Sequence, residues 1–543
     1  MAEPITRRLF LAGASGVVLA ACGTGGDDAD PTGSSATAAP TPTTLPGTSP
    51  STSTSVIPTT IEPAIVFPRE VFTLGVASGD PLADRVILWT RLAMDPGVAG
   101  GAMGSGDIDV EWEVALDDRF DEIVVAGSAV AEERFAHSVH VDATGLEPSR
   151  EYFFRFRAGD RTSPVGRTRT LPSGTPEQFR FVVTTCQDPQ TGEYGAWRDI
   201  AARDDIAAVL FTGDYIYETP PLDLSPAADG HRMWATPAPS DLETFRLRYS
   251  QVKLDENLQA AHARLAWFVM WDDHEITDNY WSGGGGIFDF AGGDLATRRT
   301  AAYQAWWEHQ PVRLDPPVDG FLEVYRSARV GDLVEFFMLD TRQFADEPPC
   351  RDTSRFDLGA DCGERDDPER TLLGVEQETW LIEGLGAADT IWTALVSPVM
   401  FAGLDARSSG DVPEYYLEGW DGYTAARARV ADALAAKSNP VVVSGDYHAS
   451  FALDVGPGFG RELLAPEFMS TAISSAPFGA EVRPNNPHVR HFAGDNGYLL
   501  CEVGAESWTA EYRTVANVWD PMSPVETTAR FVVDAGNPEM RRL

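Results

Sequence analysis

From residue 178 onward, short apolar runs alternate with longer amphipathic stretches. Strands that are almost entirely apolar, separated by helices, indicate sheet structure that is buried on both faces. The pattern therefore predicts an α/β domain over residues 178–543. Its predicted strands are 181–185, 209–212, 266–270, 334–339, 392–396 and 441–444, and its predicted helices are 194–203, 245–263, 298–310, 376–385 and 424–437.

Residues 67–172 show a different pattern, in which short strands alternate between apolar and polar positions. The segment Val110–Val114 is a clear example. Tyr152 follows a polar corner, as a corner tyrosine does in β-sandwich domains. We therefore predict an N-terminal β-sandwich resembling fibronectin type III and immunoglobulin-like domains. We expect its histidines, His137 and His140, to be structural or exposed and not ligands.

The first 66 residues predict export from the cytoplasm. Arg7 and Arg8 form a twin-arginine pattern, and the apolar run that follows is too short to span a bilayer. Leu19–Cys22 resembles a lipobox, which makes residues 1–22 a lipoprotein signal and Cys22 the lipidated residue. A plain signal peptide with an incidental cysteine is the alternative. Residues 23–66 are rich in Ser, Thr, Pro and Gly and predict a disordered linker. We expect a protein anchored by lipid to the outer face of the cytoplasmic membrane or the cell surface.

The charge of the chain narrows the range of partners. It has 42 basic and 82 acidic residues, a formal net charge of −40. This balance argues against nucleic acid or an anionic membrane surface as a partner, so we expect membrane contact only through the lipid. We also expect a monomer. An anionic substrate would need local positive charge from metal ions or arginines. A solvated acidic surface is the plainer explanation of the net charge.

Cysteine usage fits an oxidising compartment. Cys350 and Cys362 flank a polar segment and are expected to close a surface disulfide. Cys501 lies in an apolar run, where a buried inert thiol is expected.

Potential metal ligands follow four of the predicted strands of the larger domain. They are Cys186, then Asp214 with Tyr217, then Asp273 with His274, and finally Asp446 with His448. An aspartate after a glycine at a strand end is often only a helix cap. Four such ends in one domain, two of them with histidine, indicate a metal site instead, because the carboxyl ends of strands are where ligands bind in such sheets.

The ordered series Gly-Asp-x-x-Tyr, Asp-His-Glu and Gly-Asp-x-His resembles the PhoD-like alkaline phosphatase and phosphodiesterase family of the calcineurin-like metallophosphoesterases. The resemblance extends from the signal to the C-terminal region. It implies an αββα-type catalytic domain behind the β-sandwich. The superfamily usually opens with Asp-x-His, whereas this chain has Thr185, Cys186 and Gln187. It also lacks the usual asparagine before His274.

The donor types indicate which cations would bind. Thiolate, phenolate, imidazole and carboxylate donors from Cys186, Tyr217, His448 and Asp214 favour Fe3+. Asp214 can bridge to a second cation held by oxygen donors, which suits Ca2+ or Mg2+. That second set comprises Asp214, Asp273, Asp446 and Asn279. The family resemblance likewise implies iron with calcium.

Two such cations would hydrolyse a phosphate ester by in-line attack of metal-bound hydroxide. His274 would contact the phosphoryl oxygens or protonate the leaving group, unless it is only a core histidine. Arg342 and Arg248 are candidate phosphate clamps, although each also suits a structural ion pair. The run Gly283–Gly286 fits either a flap over the site or a plain loop.

These features predict an extracytoplasmic enzyme that hydrolyses phosphate monoesters and diesters. The alternative is a catalytically inactive surface lipoprotein that binds a partner through its sandwich domain. The sequence does not distinguish wall polymers, phospholipid head groups and dissolved organic phosphates as substrates.

Overall fold

A computed structural model describes residues 65–226, 232–286, 288–350, 358–360, 362–407, 410–478 and 482–543. The predicted signal at 1–22 with Cys22, and all of the predicted linker except residues 65 and 66, lie outside the described residues. Within the described ranges, none of the helices is long and apolar enough to cross a membrane.

The described residues form six α-helices and twenty-four strands. The helices are α1 Gly195–Ala201, α2 Leu242–Lys253, α3 Glu256–Arg264, α4 Leu295–His309, α5 Gly374–Ala387 and α6 Thr424–Ala435. The strands up to residue 211 are β1 Val76–Gly79, β2 Arg85–Arg91, β3 Ile108–Ala115, β4 Ile123–Ala131, β5 Ser138–Thr144, β6 Glu151–Ala158, β7 Arg161–Thr162, β8 Gly166–Arg169, β9 Gln178–Thr184 and β10 Ala208–Phe211. The later strands are β11 Ala266–Val269, β12 Arg326–Val330, β13 Val334–Met338, β14 Leu358–Ala360, β15 Trp392–Ser397, β16 Glu414–Tyr416, β17 Pro440–Ser444, β18 Ser450–Val455, β19 Ala465–Met469, β20 Val489–Ala493, β21 Gly497–Gly504, β22 Ser507–Val515, β23 Val525–Asp534 and β24 Met540–Arg542.

Two large sheets carry the predicted strands of the larger domain. The first has the order β24-β23-β22-β21-β9-β10-β11-β1-β2-β5, and the second has the order β12-β13-β15-β17-β19-β18-β20. The neighbours β9, β10 and β11 are parallel, as are β13, β15, β17 and β19. The strands from β20 to β24 pair antiparallel, a C-terminal extension that the apolar runs did not predict.

The two sheets face each other across a shared apolar core. Phe181 of β9 packs edge-on against Phe336 of β13, with ring centroids 5.1 Å apart. The alternate residues of β9 and β10, such as Val182 and Phe211, point to the other face of the first sheet, where they join a core with α1–α4. Helices α5 and α6 pack against the second sheet in a third core. Burying both faces of each sheet explains why the strands are almost continuously apolar.

The N-terminal region forms a sandwich that shares a sheet with the larger domain. Strands β1, β2 and β5 extend the first large sheet, with β1 parallel to β11, and they share a buried core with the separate sheet of β3, β4 and β6–β8. The Tyr152 hydroxyl accepts a hydrogen bond from the Glu147 backbone N–H at 2.7 Å, the contact expected of a corner tyrosine. Strand pairing thus continues across the predicted boundary at 172–178, which the sequence analysis did not predict.

Two local differences have clear causes. The single helix predicted over 245–263 is two helices, because the Asp255 carboxylate accepts the N–H groups of Asn257 and Leu258 and so begins α3. Cys350 and Cys362 are joined in a disulfide, while Cys186 and Cys501 are free and buried.

Candidate active site

The predicted ligands converge where the carboxyl ends of β9, β10, β11 and β17 meet. The loops after β9 and β10 are tied together because the Cys186 N–H donates to the Gly213 carbonyl at 3.0 Å. Gly213 has φ +121°, and a Cβ there would lie 2.5 Å from the Cβ of Asp272. Only glycine therefore lets the loops after β10 and β11 approach this closely.

Asp214 lies at the centre of the cluster. Its Oδ2 is 3.3 Å from Cys186 Sγ and 3.0 Å from the Tyr217 hydroxyl, while its Oδ1 accepts the His274 backbone N–H at 3.3 Å. The side chain is fully buried. Because its two oxygens face different groups, Asp214 is suited to contribute to two neighbouring cation sites.

His448 completes one side of the cluster. Its Nε2 is 3.1 Å from the Tyr217 hydroxyl, and its Nδ1 lies 2.9 Å from the Ala476 carbonyl. A carbonyl can only accept, so Nδ1 carries the hydrogen and Nε2 keeps its lone pair for a cation. The Ser475 hydroxyl donates to the Tyr217 oxygen at 2.8 Å.

Three overlapping sets of side chains could each hold a cation, because their donor atoms lie within 4.8 Å of one another. All three sets contain Asp214. They are Cys186 with Asp214 and His448, Asp214 with Asp273 and His274, and Asp214 with Asp272, Asp273 and Asp446. The structure thus brings together the predicted acidic, thiol and imidazole ligands and adds Asp272.

Five of the seven predicted metal ligands have a left-handed backbone. The φ angles are +55° at Cys186, +63° at Asp214, +49° at Asn279, +71° at Asp446 and +53° at His448. Each such residue other than glycine costs about 1–3 kcal/mol, a strain that concentrates at functional sites. Here the strain turns the donor atoms of four loops toward one point.

The electrostatics of the cluster fit a bound cation. Burial, together with neighbouring carboxylates, raises the pKa of Asp214 and of Cys186 well above their ordinary values. Burial and Asp214 raise the pKa of Tyr217 in the same way. A bound cation would oppose these pKa shifts, since it stabilises the ionised thiolate, phenolate and carboxylate together. The donor set is therefore suited to metal and poorly stabilised as anions alone.

His274 is held by a carboxylate that the sequence analysis did not identify. Its Nδ1 lies 2.8 Å from Oε2 of Glu218, and its ring stacks on Tyr217 with centroids 4.2 Å apart. Burial alone would lower the pKa of His274, but Asp273, Glu218 and Asp214 together raise it well above its ordinary value. Glu275 instead accepts the backbone N–H groups of Asp214, Tyr215 and Asp272.

Arg342 borders the second predicted cation position. Its guanidinium binds both oxygens of Asp272, and weaker contacts reach Asn279 Oδ1 at 3.4 Å and Asp273 Oδ1 at 3.5 Å. The Asn279 backbone N–H also donates to Asp273 Oδ2 at 2.5 Å. Arg342 thus lies beside the site as an ion-pair partner of its carboxylates, the structural alternative that the sequence left open.

The structure corrects the role predicted for Arg248. All three guanidinium nitrogens donate to protein acceptors, namely the Tyr217 carbonyl, the Thr236 hydroxyl and carbonyl, and the Pro237 carbonyl. The side chain is fully buried and lies over the Trp234 ring. Arg248 therefore supports the backbone of Tyr217 and does not present its fork to a phosphate.

Glu218, Asp272, Glu275 and Ser475 are the site residues that sequence reasoning missed. Three of them directly adjoin predicted ligands or His274, so acidic residues next to each motif were a usable signal. Ser475 lies in the segment after β19, far from any motif, and its contact with Tyr217 spans 258 residues. No local pattern marks such a residue.

The comparisons with known proteins agree with this geometry. Residues 181–512 match the model of the PhoD-like phosphatase family, and residues 59–172 match the N-terminal domain of PhoD-like phosphatases. The chain is 38% identical over 491 residues to alkaline phosphatase D of Bacillus subtilis strain 168, covering 87% of this chain and 82% of that protein. The solved structure of PhoD superposes with a TM-score of 0.83 at 38% identity, covering 88% of this chain and 93% of that one. The resemblance inferred from the motifs is thereby confirmed, and the chain belongs to the PhoD-like phosphatase family.

Proposed function

We propose that this protein is an extracytoplasmic, metal-dependent phosphoesterase that hydrolyses phosphate monoesters and diesters. The observation that carries the proposal is the convergence of Cys186, Tyr217, Asp273 and His448 around the buried carboxylate of Asp214. Membership of the PhoD-like phosphatase family and similarity to a relative named alkaline phosphatase D support it.

The two cations that this site fits best are Fe3+ and Ca2+, with Mg2+ or another divalent cation as a substitute for calcium. Cys186, Tyr217, His448 and Asp214 would hold iron through thiolate, phenolate, imidazole and carboxylate donors. Asp214, Asp273, Asp446 and Asn279 would hold the harder cation through oxygen. When bound, the pair supplies a hydroxide nucleophile near neutral pH and positive charge for the phosphoryl oxygens, the requirements of an in-line displacement.

The chain's own residues then orient the ester. His274 is the group we assign to the substrate, because its side chain is 12% exposed whereas the carboxylate beside it is 1% exposed. Arg342 would act through Asp272 and Asp273, keeping their oxygens in place by charge-assisted bonds. The acidic surface adds no positive charge to attract substrate, so the metal ions would provide most of the attraction for phosphate.

The remaining predictions complete the proposal. Residues 1–22 would direct twin-arginine export, with lipid on Cys22 tethering a monomer to the outer face of the membrane or the cell surface. Replacing Cys22 by alanine should then move the protein from the membrane fraction to the soluble fraction. No nucleic acid partner is proposed, because the net charge of −40 opposes one.

The layer order also fits the proposed activity. Helices α1–α4, two facing sheets, and helices α5–α6 together correspond to an αββα-type catalytic domain. We assign the N-terminal sandwich to the fibronectin-type class on its corner tyrosine, Tyr152.

The proposal is tested by hydrolysis of bis-p-nitrophenyl phosphate and p-nitrophenyl phosphate by the folded, exported protein. Activity should fall when the protein is treated with a chelator and should return when Ca2+ is resupplied. The variant Asp214→Asn keeps the shape of the side chain but removes its charge, and it should bind little metal and show little activity. Folded protein without bound metal and without activity would instead support the inactive lipoprotein that binds a partner through its sandwich.

A further inference from the structure

Glu218 has two hydrogen-bond partners and no role in the metal-binding sets. One carboxylate oxygen, Oε2, lies 2.8 Å from Nδ1 of His274, and the other, Oε1, accepts the Asp278 backbone N–H at 2.7 Å. The residue is fully buried and directly follows Tyr217 in the loop after β10. Glu218 therefore links this loop to the one after β11, which carries His274 and Asp278.

The surroundings of His274 fix one edge and one face of its ring. An ionised carboxylate can only accept, so Nδ1 carries a hydrogen toward Glu218. Tyr217 covers one face of the ring at 4.2 Å, and the His274 backbone N–H is bound to Asp214. Among the described residues, Nε2 makes no hydrogen bond within the chain. The ring is thus fixed at one edge and one face, with Nε2 on the remaining edge.

We propose that Glu218 is a positioning residue that fixes the ring of His274 so that Nε2 contacts the reacting phosphate ester. The inference rests on the proposed function and deepens it. An imidazole without this bond can rotate about its side-chain torsions, and a misplacement of about 1 Å at a reacting group lowers rates by about 100-fold. For histidines that bind metal, removing the hydrogen-bond partner of the other ring nitrogen has effects on the order of 10–100-fold, and we expect the same range for His274.

The chosen test is Glu218→Leu within a double-mutant cycle with His274→Ala. Leucine is similar in size to glutamate but accepts no hydrogen bond, so neither His274 nor Asp278 keeps this partner. We expect kcat for bis-p-nitrophenyl phosphate to fall about 10–100-fold with KM within about twofold. In the His274→Ala background, the same change should have no further effect on kcat, because Glu218 acts through His274.

Metal content and protein structure separate this role from others. The metal content of Glu218→Leu should equal that of the wild-type protein, and a crystal structure of the variant should show His274 displaced from its stack on Tyr217. Glu378→Leu is the matched control, since Glu378 pairs with Arg429 between α5 and α6, away from the site. Its activity should be unchanged.

Three results would overturn the inference. They are additive effects in the double-mutant cycle, loss of metal in proportion to activity, and an undisplaced His274 ring in the crystal structure of Glu218→Leu. A wild-type protein that hydrolyses no phosphate ester would overturn the proposed function instead. The crystal structure would still decide whether Glu218 holds the ring.

Discussion

Arg342 and Asp272 form a two-pronged ion pair inside the site. Nε of Arg342 lies 2.6 Å from Oδ1 of Asp272, and Nη2 lies 3.0 Å from Oδ2, with both side chains only 2% exposed. The pair joins the loop after β13 in the second sheet to the loop after β11 in the first. It therefore fastens the two sheets together at the edge where the ligands converge.

Removing one partner of this pair should be more damaging than removing both. Arg342→Met leaves a buried carboxylate without its counter-charge, which costs about 3–5 kcal/mol. The double variant Arg342→Met with Asp272→Leu removes both charges and should recover part of that loss. Chemical denaturation of the two variants and of the wild-type protein measures the difference. Equal destabilisation by the single and the double variant would show that the unpaired carboxylate of Asp272 is not what destabilises Arg342→Met.

Local sequence predicted the strand ends at which the candidate ligands lie, but not the residues that these ligands contact. Asp446 and Cys186 were identifiable because each follows closely on an apolar run, and parallel strand ends meet at one edge. The contact of Asp272 with Arg342 spans 70 residues and joins two sheets. The periodicity of apolar residues indicates that a residue is buried, but it does not indicate which distant residue it contacts.

Cys186 should determine metal content, whereas Cys501, the second free cysteine of the described residues, should not. Cys186→Ser replaces a soft thiolate donor by a hydroxyl, and we expect metal affinity to fall at least about tenfold, with activity falling in parallel. Cys501→Ala is the matched control, because Cys501 is buried in the core between the two sheets. It should lower stability slightly and leave the metal unchanged. Elemental analysis with activity measurements provides the test, and an unchanged metal content in Cys186→Ser would exclude a ligand role.

Two glycines of the run after the Asp-His-Glu motif, Gly285 and Gly286, should differ in how well they tolerate replacement by alanine. A Cβ at Gly286 would lie 1.1 Å from the Asp278 carbonyl oxygen, whereas a Cβ at Gly285 meets nothing closer than Thr277 Cγ2 at 3.8 Å. Gly286→Ala must therefore shift the turn that places Asn279, and overpacking of this kind costs roughly 1–3 kcal/mol. We expect lower activity and stability for Gly286→Ala, and nearly normal values for Gly285→Ala. Equally mild effects in both would favour the flap over a packed loop.

The sheet shared by the sandwich and the larger domain shows a second limit of the sequence. The strand character of Arg85–Arg91 and Ser138–Thr144 fits a sandwich, and both strands do contribute to its core. However, β1 pairs with β11, where Ser78 is in register with Ala266. An apolar strand has the same pattern whether its neighbour lies in its own domain or in the next, so the shared edge was not predictable.

His491 should make stability depend on pH. Its ring packs against Tyr512 and Phe531 between the two sheets, and burial, together with the charges of Arg542 and Arg483, lowers its pKa from 6.5 to about 4. As pH falls below about 6.5, the unfolded chain binds this proton before the folded protein does. The stabilisation is therefore complete above pH 6.5 and decreases toward pH 4, by about 3 kcal/mol in total.

His491→Phe keeps an aromatic ring in this core but does not titrate. Its free energy of unfolding should therefore fall less steeply than that of the wild-type protein between pH 6.5 and pH 4. Urea denaturation at pH 7, 6, 5 and 4.5 measures both slopes, and all other ionisable groups contribute equally to the two proteins. Parallel curves would show that His491 does not change its protonation between the folded and unfolded states. If the two free energies of unfolding differ by a constant amount above pH 6.5 and increasingly below it, this part of the acid sensitivity is due to the buried imidazole of His491 at the contact between the sheets.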